Sequence, residues 1–225
     1  MATPRVRFAP SPTGWLHVGG ARTALFNLLY VKKQGGTFIL RSEDTDKERS
    51  KPEFEADIIE RMKWLGLTWN EGVGTAGECG PYRQSEKTER YAKVAADLYA
   101  AGKAYKDADG VLRLKFEDSV IAFEDGICGH CEFKHESLGT DVALARSDGS
   151  ATYHLAVCVD DWDMKITHVI RGQDHLTNTA KHISIFKALG VTPPTYAHLP
   201  LILDTDGSKL SKRSALGMVS VKDFR

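Results

Sequence analysis

Apolar and polar residues run along this chain with two different periods, and the switches between them outline a mixed α/β order. Residues 5–9 read as a short strand, followed by a Pro/Gly-rich turn and a helix with apolar positions at Ala21, Ala24, Leu25, Leu28 and Leu29, stopped by Gly35-Gly36. Residues 38–40 form a second buried strand. Its exit carries Glu43, Asp44 and Asp46, where ligands gather beyond the carboxyl ends of parallel strands. Ser50, Pro52 and Glu53 supply a capping box and an N-terminal proline for a helix whose apolar face is Phe54, Ile58, Met62 and Leu65. A further helix starts near Ser85, uses Tyr91, Val94 and Leu98, and stops at Gly102.

From residue 107 to about residue 150 the pattern changes to short alternating stretches at 112–116, 121–123 and 127–133, broken by Asp-Gly turns at Asp109, Asp125 and Asp148. This reads as a small antiparallel insertion. Strands at 153–159 and 166–170, a helix from about Thr179 to Leu189 ended by Gly190, and a strand over 199–203 then resume the α/β order. The expected fold class is α/β: a Rossmann-type parallel sheet with helices on both faces, divided as 1–106, an insertion at 107–150, and 151–225. No internal repeat or low-complexity segment interrupts it.

With 225 residues, 42% hydrophobic and 27% charged, the chain can bury the core of one sizeable domain. Thirty basic and thirty acidic residues cancel, so contact with a polyanion has to come from a local patch. No apolar run approaches the roughly 20 residues of a membrane span, and the first residues lack the charged-then-apolar layout of a signal peptide. No membrane partner and a cytoplasmic location are expected. Cys79, Cys128, Cys131 and Cys158 are too scattered for a disulfide framework and read as free thiols.

Two distant motifs carry the chemistry. The segment Pro10-Ser11-Pro12-Thr13-Gly14-Trp15-Leu16-His17-Val18-Gly19-Gly20 ends in a His-x-Gly-Gly step that opens a helix, and its small residues and backbone N–H groups suit the approach of a nucleotide phosphate. Lys209-Leu210-Ser211-Lys212-Arg213 places two lysines three residues apart on a loop-like stretch, a mobile positive charge for a leaving pyrophosphate. Together they read as an ATP site split across two halves of one fold.

These blocks, with Arg7-Phe8-Ala9 ahead of the first, Arg41-Ser42-Glu43-Asp44-Thr45-Asp46, Gly80-Pro81-Tyr82-Arg83-Gln84-Ser85 and Val169-Ile170-Arg171-Gly172-Gln173-Asp174-His175, resemble the bacterial glutamyl-tRNA synthetases over nearly the whole chain. The resemblance implies activation of L-glutamate by ATP and transfer to the 3′-terminal ribose of tRNA, with the tRNA acceptor end as partner and a monomer as the working unit. It implies that Thr13, His17, Gly19, Gly20, Asp174, His175, Lys209 and Lys212 contact ATP, with Mg²⁺ on the phosphates, and that His17, Lys209 and Lys212 act in catalysis. Arg7, Ser11, Tyr153 and Arg171 would surround the glutamate carboxylates, and Glu43 the α-amino group. The chemistry asks for such a set, because two carboxylates and one ammonium call for arginines and an acid on rigid supports.

Each assignment has a structural alternative. His17 can be a helix-preceding histidine satisfied by backbone, Lys209 and Lys212 a solvated basic turn, and Arg171 with Glu43 an ion pair. Asp160 and Asp161 read as a solvated strand end, as structural residues or as holders of metal-bound water. Cys128-Gly129-His130-Cys131 with His135 offers half of a zinc site and lacks the other half at normal spacing, so no metal site is expected. The resemblance is also incomplete. The insertion is shorter than in most members, Ser214-Ala215-Leu216 stands where members carry His-Gly-Ala, and no anticodon-binding domain follows Arg225. Two other functions therefore compete: anticodon-independent glutamylation of a modified tRNA base, and a non-catalytic paralogue that binds glutamate or ATP.

Overall fold

The computed structural model describes residues 3–139, 141–204, 207, 210 and 220–224. Strand β1 (Arg5–Phe8) leads into helix α1 (Val18–Gln34), which returns the chain to β2 (Thr37–Leu40) in parallel register, with Val6 opposite Phe38 and Phe8 opposite Leu40. Helix α2 (Pro52–Trp64) crosses to β3 (Glu71–Gly72), which pairs in parallel with β2. A short 3₁₀ turn and α3 (Thr88–Ala100) then lead to β4 (Ala104–Lys106), β5 (Leu112–Leu114), β6 (Val120–Asp125), β7 (Gly129–Lys134) and β8 (Ala143–Ala145). Helix α4 (Tyr153–Asp163), β9 (His168–Gly172), α5 (Leu176–Leu189) and β10 (Thr195–Leu199) follow.

Three sheets result, ordered β1-β2-β3, β7-β6-β10-β9 and β4-β5-β8. The first two adjoin: Thr167 N–H, just ahead of β9, donates to Arg5 O at 2.9 Å, and Arg5 N–H donates to Thr167 Oγ1 at 2.8 Å. Helix α1 packs on β1, β2 and β9, and α5 packs on β6 and α4. One apolar core gathers Val6, Phe38, Ile39, Met62 and Val169 around the parallel strands, and a second gathers Tyr91, Leu114, Leu144, Leu155 and Ile185 around α3, α4 and β5. Burial of these side chains is the main driving force for the fold.

The mixed α/β architecture with parallel strands and helices agrees with the sequence pattern, whereas several elements differ. Residues 153–159 are helical, not a strand. Leu155 through Asp161 are all buried, and a short, continuously apolar run has no period that tells a buried helix from a buried strand. The last strand ends at Leu199, where the pattern began it.

The capping box at Ser50 does not form. Lys51 occupies the N-cap of α2 without a side-chain bond, Ser50 Oγ has no partner, and Pro52 starts the helix. On α1 the buried face is Gly20, Ala24, Asn27, Leu28 and Val31, while Leu25 and Leu29 are exposed. Asn27 takes a core position because its Nδ2 donates to Ile170 O at 3.0 Å and to Thr23 O at 2.9 Å. The insertion strands divide. β4, β5 and β8 form an antiparallel sheet of their own, but the β6–β7 hairpin hydrogen-bonds onto β10 and widens the sheet that carries β9.

Gly72 marks a tightly packed point in this framework. Its φ of +136° is one that L side chains rarely adopt, and a Cβ there would collide with the carbonyl oxygen of Leu40 and come within 2.7 Å of its nitrogen. Gly72→Ala is therefore expected to destabilise the protein by at least about 2 kcal/mol. Urea unfolding checks this, and an unchanged midpoint would refute it.

Candidate active site

The turn after β1 is stitched down from behind. Glu43 N–H donates to Pro10 O at 3.0 Å, Lys51 N–H to Pro12 O at 3.0 Å, and Leu16 N–H to the buried carboxylate of Asp57 at 3.1 Å. Held this way, the chain enters α1 with His17 at the N-cap, its Nδ1 accepting Gly20 N–H at 3.0 Å. The backbone-satisfied reading of His17 thus describes its Nδ1, while the residue itself stays exposed on the wall of a cleft. The first turn of α1 carries no acidic residue of its own, and its backbone N–H groups have the positive end of the helix dipole behind them. Gly20 leaves little room for a side chain: a Cβ would lie 3.2 Å from Leu16 Cδ1 and 3.5 Å from Phe8 Cζ.

The cleft has a volume of about 880 Å³. Ser11, Thr13, His17, Gly19 and Gly20 line it from the turn; Arg7 and Glu43 from the first sheet; Tyr153, Arg171, Asp174 and His175 from the second half of the chain. Lys209 and Lys212 lie outside the described residues. Lys222 also lines the cleft, its Nζ 4.2 Å from the centre of the Trp15 ring, and Val221 N–H closes the chain onto Leu16 O at 2.8 Å.

Beneath the cleft floor lies a buried charge network. Asp161, on α4, accepts Arg7 Nε at 3.0 Å and Arg41 Nη1 at 2.7 Å. Arg41 is fully buried and also reaches Glu43 Oε1 at 3.2 Å. Asp160 takes Lys87 Nζ at 2.7 Å, Gln84 Nε2 at 2.8 Å and Tyr91 Oη at 2.9 Å. Burial opposes ionisation of Asp161, but Arg7 and Arg41 prevail and hold its carboxyl below the ordinary range. Burial pushes the Glu43 carboxyl up, against the pull of Arg41 and Arg7.

Asp160 and Asp161 are accordingly neither a solvated strand end nor strand residues. They are helical, 0% and 3% exposed, and they tie three segments together. Of the alternatives for Asp160 and Asp161 the structural one describes this network, whereas Arg41 was given no role from the pattern. Their only signal was charge placed inside apolar runs.

Arg171 has a different environment. It is buried and does not pair with Glu43; its Nη2 donates to Thr179 Oγ1 at 2.7 Å and His175 O at 3.2 Å, and its Nε to His198 Nε2 at 3.2 Å. Its Nη1 lies 3.5 Å from His182 Nδ1, and the ring of Tyr196 lies 5.6 Å from its Cζ. Among the described residues every one of these partners is uncharged or a histidine held neutral. Burial, aided by the Arg171 charge, pushes His182 well below its ordinary value and His175 down to about 4. His154, 3.2 Å from His182 through its Nδ1, falls to about 4 for the same first reason, with the charges of Lys181 and Arg171 adding to it. Tyr153, whose Oη lies 3.4 Å from His175 Nδ1, is pushed up to about 12 by burial and by Glu43.

The cysteines of the insertion point to backbone. Cys128 Sγ lies 3.7 Å from His198 O and Cys131 Sγ lies 3.6 Å from Gly129 O. Among the described residues no group of three His, Cys, Asp or Glu side chains is arranged to hold a metal ion. Nor is any described helix long and apolar enough to cross a membrane.

Comparison with known proteins joins this geometry to a family. A model described as tRNA synthetases class I (E and Q), catalytic domain, matches residues 4–115 and 106–225. A glutamate–tRNA ligase of Akkermansia muciniphila is 51% identical over 230 residues, covering 100% of this chain and 53% of that protein. One from Methylacidiphilum infernorum is 51% identical over 215 residues, covering 93% of this chain and 48% of that protein. The crystal structure of a glutamate tRNA ligase from Elizabethkingia meningosepticum, in complex with its amino acid, superposes with a TM-score of 0.89 at 36% identity over 95% of this chain and 52% of that one. A tyrosyl-tRNA synthetase from Aeropyrum pernix, 14% identical with a TM-score of 0.57 over 97% of this chain and 59% of its own, shares the fold alone. The chain spans about half the length of the curated relatives it matches.

The neutral histidines make stability depend on pH in a defined window. His154 and His175 stay unprotonated down to about 4 in the folded protein, whereas in the unfolded chain they bind protons near their ordinary value of 6.5. Their contribution is complete above pH 6.5 and is lost as the pH falls toward 4, by roughly 1–3 kcal/mol for each residue. Melting temperature measured from pH 7 to 4.5 should therefore fall, with a shallower fall in His154→Gln. Identical profiles for variant and parent would contradict this assignment.

Proposed function

The chain belongs to the family of class I tRNA synthetase catalytic domains specific for E and Q, and on that premise we propose that it activates L-glutamate with ATP and transfers the glutamyl group to the 3′-terminal ribose of tRNA. The observation that carries this reading is the Arg171 environment. A guanidinium 6% exposed, with only neutral hydrogen-bond partners among the described residues, sits at a large energetic disadvantage until a carboxylate reaches it. In the cleft that anion is a carboxylate of the substrate.

Arg7 lines the same cleft with part of its charge committed to Asp161, so it orients a second carboxylate oxygen while Arg171 supplies the uncompensated charge. Glu43 lies buried beside them, its carboxyl pushed up by burial and paired with Arg41, and a substrate ammonium beside it adds a second counter-charge. Ser11 and Tyr153 add hydroxyl groups on the cleft wall. Glutamine, neutral where glutamate is charged, leaves the guanidinium without its counter-charge, which costs roughly 1–3 kcal/mol.

ATP fits the turn before α1. The crowded, glycine-lined entry, a helix terminus with no acid in its first turn and the exposed His17 together favour phosphate, and Thr13, Asp174 and His175 flank the same volume for the rest of the nucleotide. Mg²⁺, bound with the triphosphate, would supply counter-charge for the leaving pyrophosphate. Lys209 and Lys212 take the cationic role over the same phosphates. The reaction needs no covalent nucleophile: the glutamate carboxylate attacks the α-phosphorus, pyrophosphate leaves, and the fixed donors stabilise the charge that grows on oxygen.

Glutamate-dependent ATP–pyrophosphate exchange, with and without total tRNA, tests the proposal. Exchange should require L-glutamate, should not be supported by glutamine, and should fall by about a hundredfold or more in Lys209→Ala/Lys212→Ala. A folded protein without exchange in either condition overturns activation and leaves a binding paralogue, whereas activity only toward a modified tRNA base moves the acceptor from ribose to base.

A further inference from the structure

The aim of Arg171 is set from outside the cleft. His198, on β10, is fully buried, and its Nε2 receives Arg171 Nε–H at 3.2 Å and lies 3.0 Å from Thr179 Oγ1. A guanidinium can only donate, so Nε2 must carry a lone pair, and the ring proton must sit on Nδ1. Nδ1 faces Asp125 Oδ2 at 2.6 Å, an acceptor when ionised. The other oxygen of Asp125 is occupied three times over: Oδ1 accepts the backbone N–H groups of Cys128 at 2.8 Å, Ile127 at 3.0 Å and His198 at 3.1 Å. Those amides overcome the opposing effect of burial and keep the Asp125 carboxyl below its ordinary range, hence ionised.

We propose that Asp125 and His198 are positioning residues for the amino-acid site: the carboxylate at the end of insertion strand β6 fixes the Nδ1–H tautomer of His198, and the Nε2 lone pair this leaves holds Arg171 toward the substrate. The inference rests on the reading of Arg171 as the carboxylate-binding residue. It gives the insertion a part in amino-acid binding as well as in the fold, because β6 pairs in parallel with β10 at Asp125 opposite Tyr196 and so brings the carboxylate under His198. The arrangement also explains why a carboxylate lies so near Arg171 without neutralising it. One neutral imidazole stands between them and passes on orientation without charge.

The isosteric change Asp125→Asn tests this sharply. Three backbone N–H groups pin the amide oxygen in the place of Oδ1, so the NH₂ has to face His198 Nδ1. That forces the proton to Nε2, where it opposes Arg171 Nε–H. ¹⁵N-edited NMR of the imidazole reads the tautomer directly and needs no turnover. The expected result is Nδ1–H in the parent and Nε2–H in the variant.

In the exchange assay Asp125→Asn should raise the apparent KM for glutamate by about tenfold or more and leave that for ATP within about twofold. His198→Gln, whose Oε1 restores an acceptor near Arg171, should be less affected than His198→Leu of similar melting temperature; a purely structural role would not produce this order. Arg171→Ala separates the two readings. If it leaves the glutamate KM unchanged, Arg171 is not the carboxylate residue and the proposed site fails. If it raises that KM while Asp125→Asn and the His198 pair do not, or if the parent shows Nε2–H, the positioning role is overturned.

Discussion

The carboxylate of Asp161 is the point on which the cleft depends. From α4 it accepts guanidinium groups from both Arg7 on β1 and Arg41 beyond β2, and so ties the two halves of the chain, 154 residues apart, through a single anion. Arg41, Arg7, Glu43, Asp161 and Asp160 are each less than a tenth exposed. Charges of that kind persist in a protein interior only as a balanced, hydrogen-bonded set, because removing one partner leaves the rest uncompensated. The network therefore constrains geometry more than it adds stability. It holds the first sheet, α4 and the cleft-lining Glu43 in one arrangement.

Around that balanced set the cleft is deliberately unbalanced at Arg171. Neutral imidazoles surround it, and the same burial that keeps His154, His175 and His182 uncharged leaves the guanidinium as the local source of positive potential. Under the proposed function, a substrate with two carboxylates and an ammonium would meet complementary groups from both regions. The entry to α1 offers a different chemistry: backbone amides, held by the stitching of residues 10–16 to Glu43, Lys51 and Asp57. The cleft thus presents side-chain charge in one place and oriented peptide dipoles in the other.

The division of the insertion strands follows from the same economy. β4, β5 and β8 cover α3 and α4 and complete the second core, whereas β6 and β7 extend the sheet containing β9. That placement brings Asp125 beneath His198, behind Arg171. A segment that reads from sequence as a small antiparallel insertion thereby sits in direct contact with the groups that shape the cleft.

The sequence by itself determined the α/β order and the turn before α1, because glycine and proline punctuation and amphipathic spacing act locally along the chain. Arg7, Ser11, Thr13, His17, Glu43, Tyr153, Arg171 and His175 were singled out through the family resemblance of the motif blocks, and they share one cleft. Only the tertiary structure decided that residues 153–163 are a helix, that Asn27 replaces Leu25 and Leu29 on the buried face of α1, and that Asp160 and Asp161 lie inside the protein. It also decided that Arg171 faces Thr179 and histidines while Arg41 takes Glu43. The reason is physical: a buried polar or charged residue is stable only through partners distant in sequence, and its burial and ionisation are set when those partners meet, so no local pattern can report them.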